Sequence, residues 1–189
     1  MRMSIGVLGL QGDVSEHVNA LQRITDDVKV VKKASDIDGL GGLIIPGGES
    51  TTLLTILKKY KIDIAIKKAR LPVFGTCMGA VLLAKEILNT DQDTLNLMDI
   101  SVERNAYGRQ VDSFETDLKI PAVGKTPFKG VFIRAPVIKH VGKDAEVLAE
   151  HDGSPVLVRE GKFLAATFHP ELTDDVRVHE YFLNLLENG

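Results

Sequence analysis

Short apolar runs alternate with helical stripes through the first half of the chain. "SIGVLGL" (4–10) predicts a buried strand. After it Val14, Val18, Leu21 and Ile24 recur at spacings of four, three and three, the stripe of an amphipathic helix. "VKVVK" (28–32), "GLIIP" (42–46) and "PVFGT" (72–76) predict three more strands. "STTLLTILKKY" (50–60) opens on a residue type that caps helices and continues as one. Residues 78–88 predict a helix that is apolar nearly all round and therefore buried. Strands alternating with helices in this way imply a mostly parallel sheet covered on both faces.

The second half changes character. "LMDISVERN", "VDSFETDL", "VFIRAPVIKHV", "EVLAEHDG", "PVLVREG" and "KFLAATF" are strand-like, with turns at Asp152-Gly153 and Glu160-Gly161. Some should extend the central sheet and others should form antiparallel ribbons. "DVRVHEYFLNLLEN" places Val178, Tyr181, Phe182, Leu185 and Leu186 on one face of a final helix. No linker or repeat divides the chain, so the expectation is one three-layer α/β domain over residues 1–189.

Composition narrows the function. A formal charge of −3 gives no reason to expect nucleic acid or an anionic membrane as partner. No apolar run approaches the length of a membrane span, and the N-terminal "MRMSIGVLGLQG" lacks the cleavage site of a signal peptide. One cysteine cannot form an internal disulfide, so a reducing, cytoplasmic setting is expected.

That cysteine, Cys77, is the first candidate for chemistry. A lone cysteine between apolar segments is usually a small buried hydrophobe. Gly75-Thr76-Cys77-Met78-Gly79, however, is G-x-C-x-G between a predicted strand and a predicted helix, the pattern of a nucleophile elbow. The turn needs small flanking residues and lifts the nucleophile above the carboxyl edge of the sheet. The backbone amide of Met78 would then face an oxyanion formed on attack at a carbonyl.

A nucleophile needs a base, and there are five histidines. His17 and His179 fall in predicted helices and read as surface residues; His140 and His151 lie near strand ends without a carboxylate in useful register. His169 precedes Pro170 and Glu171. Proline keeps the preceding residue extended, where positions two apart share a side. Glu171 can therefore orient the imidazole, giving a triad Cys77–His169–Glu171.

"PGGEST" follows the third strand on the same sheet edge. Gly48 stands where a phosphate-binding loop needs lysine, and "GVLGLQG" lacks dinucleotide-site spacing. The glycine pair suits a second oxyanion donor, from Gly48, better than a phosphate cradle. There is no C-x-x-C, H-E-x-x-H or aspartate-rich loop, so neither metal nor cofactor is expected. The basic cluster Lys58, Lys59, Lys61, Lys67, Lys68 and Arg70 reads as a solvated helix face.

Together "GVLGLQGD", "LIIPGGEST", "FGTCMGA", "VERNAYGRQVDSFE", "VFIRAP" and "FHPELT" resemble the class I glutamine amidotransferases. Within them the resemblance is to the branch of glutaminase subunits that serve pyridoxal 5′-phosphate synthesis. It implies a flavodoxin-like fold, hydrolysis of L-glutamine, and ammonia passed to a separate (β/α)8-barrel synthase in a hetero-oligomer. Cys77, His169 and Glu171 match the family's triad. Gly48, Glu49 and Ser50 match its glutamine-binding loop, and Arg104, Ile133 and Arg134 complete the implied pocket. Either arginine could hold the substrate carboxylate. Gln11 of "LGLQG" is a candidate interface residue. Two alternatives stay open: a triad amidotransferase feeding a different synthase, and a non-hydrolytic cysteine protein of related fold.

Overall fold

The computed structural model describes residues 4–104 and 113–187. The "NAYGRQVD" stretch of the family-like motif, 105–112, lies outside the described residues. In chain order the first half contains β1 (Ser4–Leu8), α1 (Val14–Gln22), β2 (Val28–Val31), β3 (Leu40–Ile45), α2 (Ser50–Lys59), α3 (Ile62–Ala69), β4 (Val73–Thr76) and α4 (Met78–Leu83). Next come β5 (Ala84–Ile87), β6 (Met98–Glu103), β7 (Ser113–Leu118), β8 (Phe128–Ile133) and β9 (Val137–Val141). The chain closes with β10 (Glu146–His151), β11 (Ser154–Glu160), β12 (Phe163–Ala166) and α5 (Arg177–Glu187).

A seven-stranded sheet runs in the order β10-β11-β12-β4-β3-β1-β2. From β12 to β2 every neighbouring pair is parallel, while β11 and β10 extend the sheet antiparallel. The central strands are buried on both faces: β1, β3 and β4 have no exposed residue, whereas edge strand β2 exposes Lys29 and Val30. That contrast is what burial between helical layers requires. One apolar layer packs α2 and α4 on the sheet through Leu53, Leu57, Val81 and Leu82. The other packs α1 and α5 through Leu21, Val178 and Phe182 against Ile44 and Phe74. A three-stranded ribbon β5-β6-β9 and a pair β7-β8 flank these layers.

Three expectations are corrected. Residues 78–88 do not form one helix: α4 stops at Leu83, and β5 pairs with β6 through Ala84↔Met98 and Ile87↔Val102. A continuous apolar run fits a buried helix or a buried strand equally well, and periodicity cannot separate them. Residues 62–69 form a separate helix, α3, after a left-handed Lys61 at φ 58°, so the basic cluster read as one helix face is divided between α2 and α3. "VFIRAPVIKHV" is two strands in different sheets, broken where Arg134 turns at φ 45° ahead of Pro136.

Because β1, β3, β4 and β12 run parallel side by side, their carboxyl ends share one edge. That edge carries Gln11 and Asp13 after β1, Gly47 and Gly48 after β3, Cys77 after β4 and His169 after β12. Open parallel sheets place ligand sites at this edge.

Candidate active site

Cys77 sits at φ 50°, ψ −115°, directly between β4 and α4. A non-glycine residue with positive φ costs on the order of 1–3 kcal/mol and persists only where its surroundings enforce it. Here they do. A Cβ on Gly79 would lie 2.0 Å from the Ile45 carbonyl oxygen, so the first turn of α4 rests directly on β3. The Cys77 amide also donates to the Ala166 carbonyl at 2.8 Å, tying the turn to β12. Its sulfur lies 3.7 Å from the Ile133 carbonyl oxygen.

His169 Nδ1 donates to Glu171 Oε1 at 2.7 Å. The expected contact is present, but the local geometry differs from a continuing strand. His169 leads into a 3-10 turn, Pro170–Leu172, and the turn brings the Glu171 carboxylate back to the Nδ1 edge of the ring. Burial by itself would lower the pKa of His169. Hydrogen bonds donated to Cys77 and Glu171, and the negative charge of both, override it and raise the value to about 10. A base of that strength carries a proton at neutral pH and can act as a general acid. Burial pushes the Glu171 carboxyl up, with His169 opposing.

Asp13 stands 3.2 Å from the same His169 nitrogen through Oδ2. Asp13, His169 and Glu171 thus bring potential ligand atoms within 4.8 Å of one another. Both carboxylates converge on one ring nitrogen, an arrangement for sharing a proton rather than for surrounding a cation.

A cavity of about 350 Å³ opens in front of the sulfur, lined by Gly48, Glu49, Cys77, Met78, Arg104, Ile133, Arg134 and His169. Eight expected residues therefore meet at one place. Ser50 does not line it: it is fully buried in the first turn of α2 and its hydroxyl bonds to Gln92. Glu49, rather than Ser50, caps α2, accepting from the amides of Thr51 at 2.9 Å and Thr52 at 2.6 Å. These bonds, Thr52's foremost, outweigh partial desolvation and hold the Glu49 pKa at about 2. The Arg104 guanidinium is engaged by Gln92 Oε1 at 2.7 Å, Thr51 at 3.3 Å and Glu49 at 3.5 Å. Gln11 donates from Nε2 to the Glu49 carbonyl at 2.5 Å, and Gly12 lies against Gly47 so closely that a Cβ would come within 1.7 Å of its oxygen. The loop after β1 therefore braces the loop after β3.

Two histidines are corrected outright. His17 and His179 are not surface residues; both are completely buried behind the triad. His17 Nε2 lies 3.0 Å from Thr76 Oγ1 and 3.4 Å from Glu171 Oε2, and its Nδ1 lies 3.0 Å from His179 Nε2. The sequence does carry a signal for them: His17 is three residues after Val14 and four before Leu21, on the apolar stripe of α1. Asp13 and Gln92, in loops without periodicity, offered none.

A strained cysteine beside a histidine–carboxylate pair, at the carboxyl edge of a parallel sheet, is equipped for acyl transfer. The SNO glutamine amidotransferase family matches residues 7–188, and the chain belongs to that family. It is 55% identical over 188 residues to the pyridoxal 5′-phosphate synthase subunit PdxT of Thermotoga neapolitana, covering 98% of this chain and 100% of that one. Identity to the Thermus thermophilus protein of the same name is 52% over 190 residues, with 98% of each chain covered. A solved glutamine amidotransferase superposes with a TM-score of 0.91 at 49% identity, over 97% of this chain and 98% of its own.

Proposed function

We propose that this protein hydrolyses L-glutamine to L-glutamate and ammonia with Cys77, His169 and Glu171, and supplies the ammonia to a (β/α)8-barrel synthase subunit for pyridoxal 5′-phosphate synthesis. The observation that carries the reading is Cys77 at φ 50° on the elbow, facing the same cavity as a histidine held by Glu171. Membership of a glutamine amidotransferase family and identity above one half to named synthase subunits support the substrate and the partner.

The Cys77 sulfur attacks the side-chain amide carbon of glutamine, and the carbonyl oxygen becomes an oxyanion received by the amides of Met78 and Gly48. As the tetrahedral intermediate collapses, His169 protonates the departing nitrogen, which leaves as ammonia, and a thioester remains on the sulfur. Water then attacks the thioester while His169 takes its proton. Collapse releases glutamate and returns the proton to the Cys77–His169 pair. Glu171 keeps its hydrogen bond to the imidazole through both halves.

The substrate's ends need fixed partners as well. Arg104 is committed to Gln92, Thr51 and Glu49 and so secures the loop. Arg134, which has no hydrogen-bond or ion-pair partner among the described residues, is the carboxylate clamp. Glu49, ionised at neutral pH, faces the ammonium. Gln11, bound to the Glu49 carbonyl, is where synthase docking reaches the oxyanion loop.

The test is glutamate release from L-glutamine by the subunit alone and with its synthase, in wild type and Cys77→Ala. Release that needs Cys77 and rises with synthase is expected. No release in the complex, with a synthase still active on added ammonia, would overturn the reading.

A further inference from the structure

Glu171 has two carboxylate oxygens, and the triad uses one. Oε1 takes the His169 hydrogen at 2.7 Å. Oε2 is sealed from solvent without a hydrogen bond of normal length, and faces His17 Nε2 at 3.4 Å. An ionised oxygen in that position is costly unless a donor is turned toward it.

The geometry of the two buried histidines decides where their hydrogens lie. His17 Nδ1 and His179 Nε2 face each other at 3.0 Å, so one of them carries the hydrogen between them. Were it on His17 Nδ1, a bare lone pair on Nε2 would confront the carboxylate. His179 would then hold its own hydrogen on Nδ1, which has no partner among the described residues. A buried N–H without an acceptor is rarer and costlier than an unused lone pair. In the opposite arrangement His179 Nε2–H donates to His17 Nδ1. His17 Nε2–H is then shared between Thr76 Oγ1 at 3.0 Å and the Glu171 oxygen beyond it. Only a lone pair is left without a partner.

We propose that His17 is a positioning residue for the triad: its Nε2–H, set in that tautomer by His179, supports the free oxygen of Glu171 and keeps the carboxylate ionised and aimed at His169. The proposal rests on the glutaminase reading and adds to it a relay from α5 through α1 to the triad. The groups facing Glu171 are His169, His17 and Asp13; those facing His17 are His179, His169 and Glu171. Burial and the Asp13 charge both drive Glu171 toward protonation. The His17 donor opposes them from the side His169 does not reach.

Two substitutions of similar polarity separate positioning from packing. An asparagine amide reaches about as far as Nδ1, and a glutamine amide about as far as Nε2. In the synthase complex, His17→Asn is expected to lower kcat about tenfold with KM little changed, and to move the acidic limb of the pH profile up by about one unit. His17→Gln should return the limb toward wild type. Limbs at the wild-type position in both variants, or the same loss at every pH, would overturn the proposal. Nitrogen NMR of the wild-type protein tests it without a variant: His17 should carry its hydrogen on Nε2, and a hydrogen on Nδ1 would overturn it. Absence of Cys77-dependent release in the wild-type complex would instead strike the glutaminase reading, and the NMR result would still decide the tautomer.

Discussion

Two histidines flank one carboxylate and are driven in opposite directions. His169, in front of Glu171, is raised to about 10, while His17, behind it, is lowered well below 6.5. Both are nearly or wholly buried, so burial does not distinguish them. Their partners do. His169 meets the Cys77 sulfur, Glu171 and Asp13, all acidic groups. His17 meets a second histidine and a hydroxyl at 3.0 Å, with Glu171 further off at 3.4 Å. Charge is stabilised on the side that faces the cavity and expelled from the side that faces the core, with Glu171 between them. A proton can therefore be moved at the front without being lost to the back.

The comparison breaks most completely at Glu171 itself. Glu171→Gln leaves the front histidine without its anion and frees its tautomer. Loss of a triad carboxylate costs up to about 10⁴-fold in kcat, and a fall of roughly 10²–10⁴-fold is expected here. Glutamate release by the synthase complex measures it. Activity within a few-fold of wild type would mean that the imidazole is oriented by another group.

The rear of the site can be read through stability. Burial lowers His179 from 6.5 to about 4 in the folded protein. Between those values the unfolded chain binds the extra proton, so falling pH favours unfolding. The contribution of neutral His179 is fully present above about pH 6.5 and is lost as pH falls through 4. It amounts to on the order of 3 kcal/mol. His17, lowered by burial and then by the charges of His179 and His169, acts in the same sense. His169 acts in the other: its folded value exceeds the unfolded one, so its contribution holds below about 6.5 and is lost as pH rises toward 10. Urea midpoints should fall between pH 7 and pH 4.5, and His179→Leu should flatten that fall. A wild-type acid limb unchanged by His179→Leu would place the ring outside the dry core.

What was legible in the sequence follows from what each pattern encodes. G-x-C-x-G encodes a backbone constraint, and the 2.0 Å approach of a Gly79 Cβ to the Ile45 carbonyl is that constraint made visible. H-P-E was equally legible: Glu171 reaches His169 although a 3-10 turn, not an extended strand, delivers it. The parallel half of the sheet was readable because βα alternation has few solutions. The end of α4 was not, since six consecutive buried residues erase the period that would separate helix from strand. His17 and His179 were misplaced by a rule about residue type, polar and so outside, against a positional signal that put His17 on the apolar stripe of α1. The cap of α2 was misread for the converse reason. Ser50 looks like the helix cap, yet Glu49 takes that place and the Ser50 hydroxyl turns inward to Gln92.

Asp13 offers the finest adjustment of the front histidine. Its Oδ2 lies 3.2 Å from His169 Nδ1, where Glu171 Oε1 already sits at 2.7 Å, and one N–H cannot serve two acceptors fully. The Asp13 side chain is also 37% exposed where that of Glu171 is 0%, so water screens its charge. Asp13→Asn should therefore make His169 only slightly less basic. The alkaline limb of the activity profile is expected to fall by less than about half a pH unit, with kcat within about threefold of wild type. An effect as large as that of Glu171→Gln would exchange the two carboxylates in the mechanism. The orienting anion would then be the one on the β1–α1 loop, beside Gln11 and Gly12, where loop movement could switch the triad on and off.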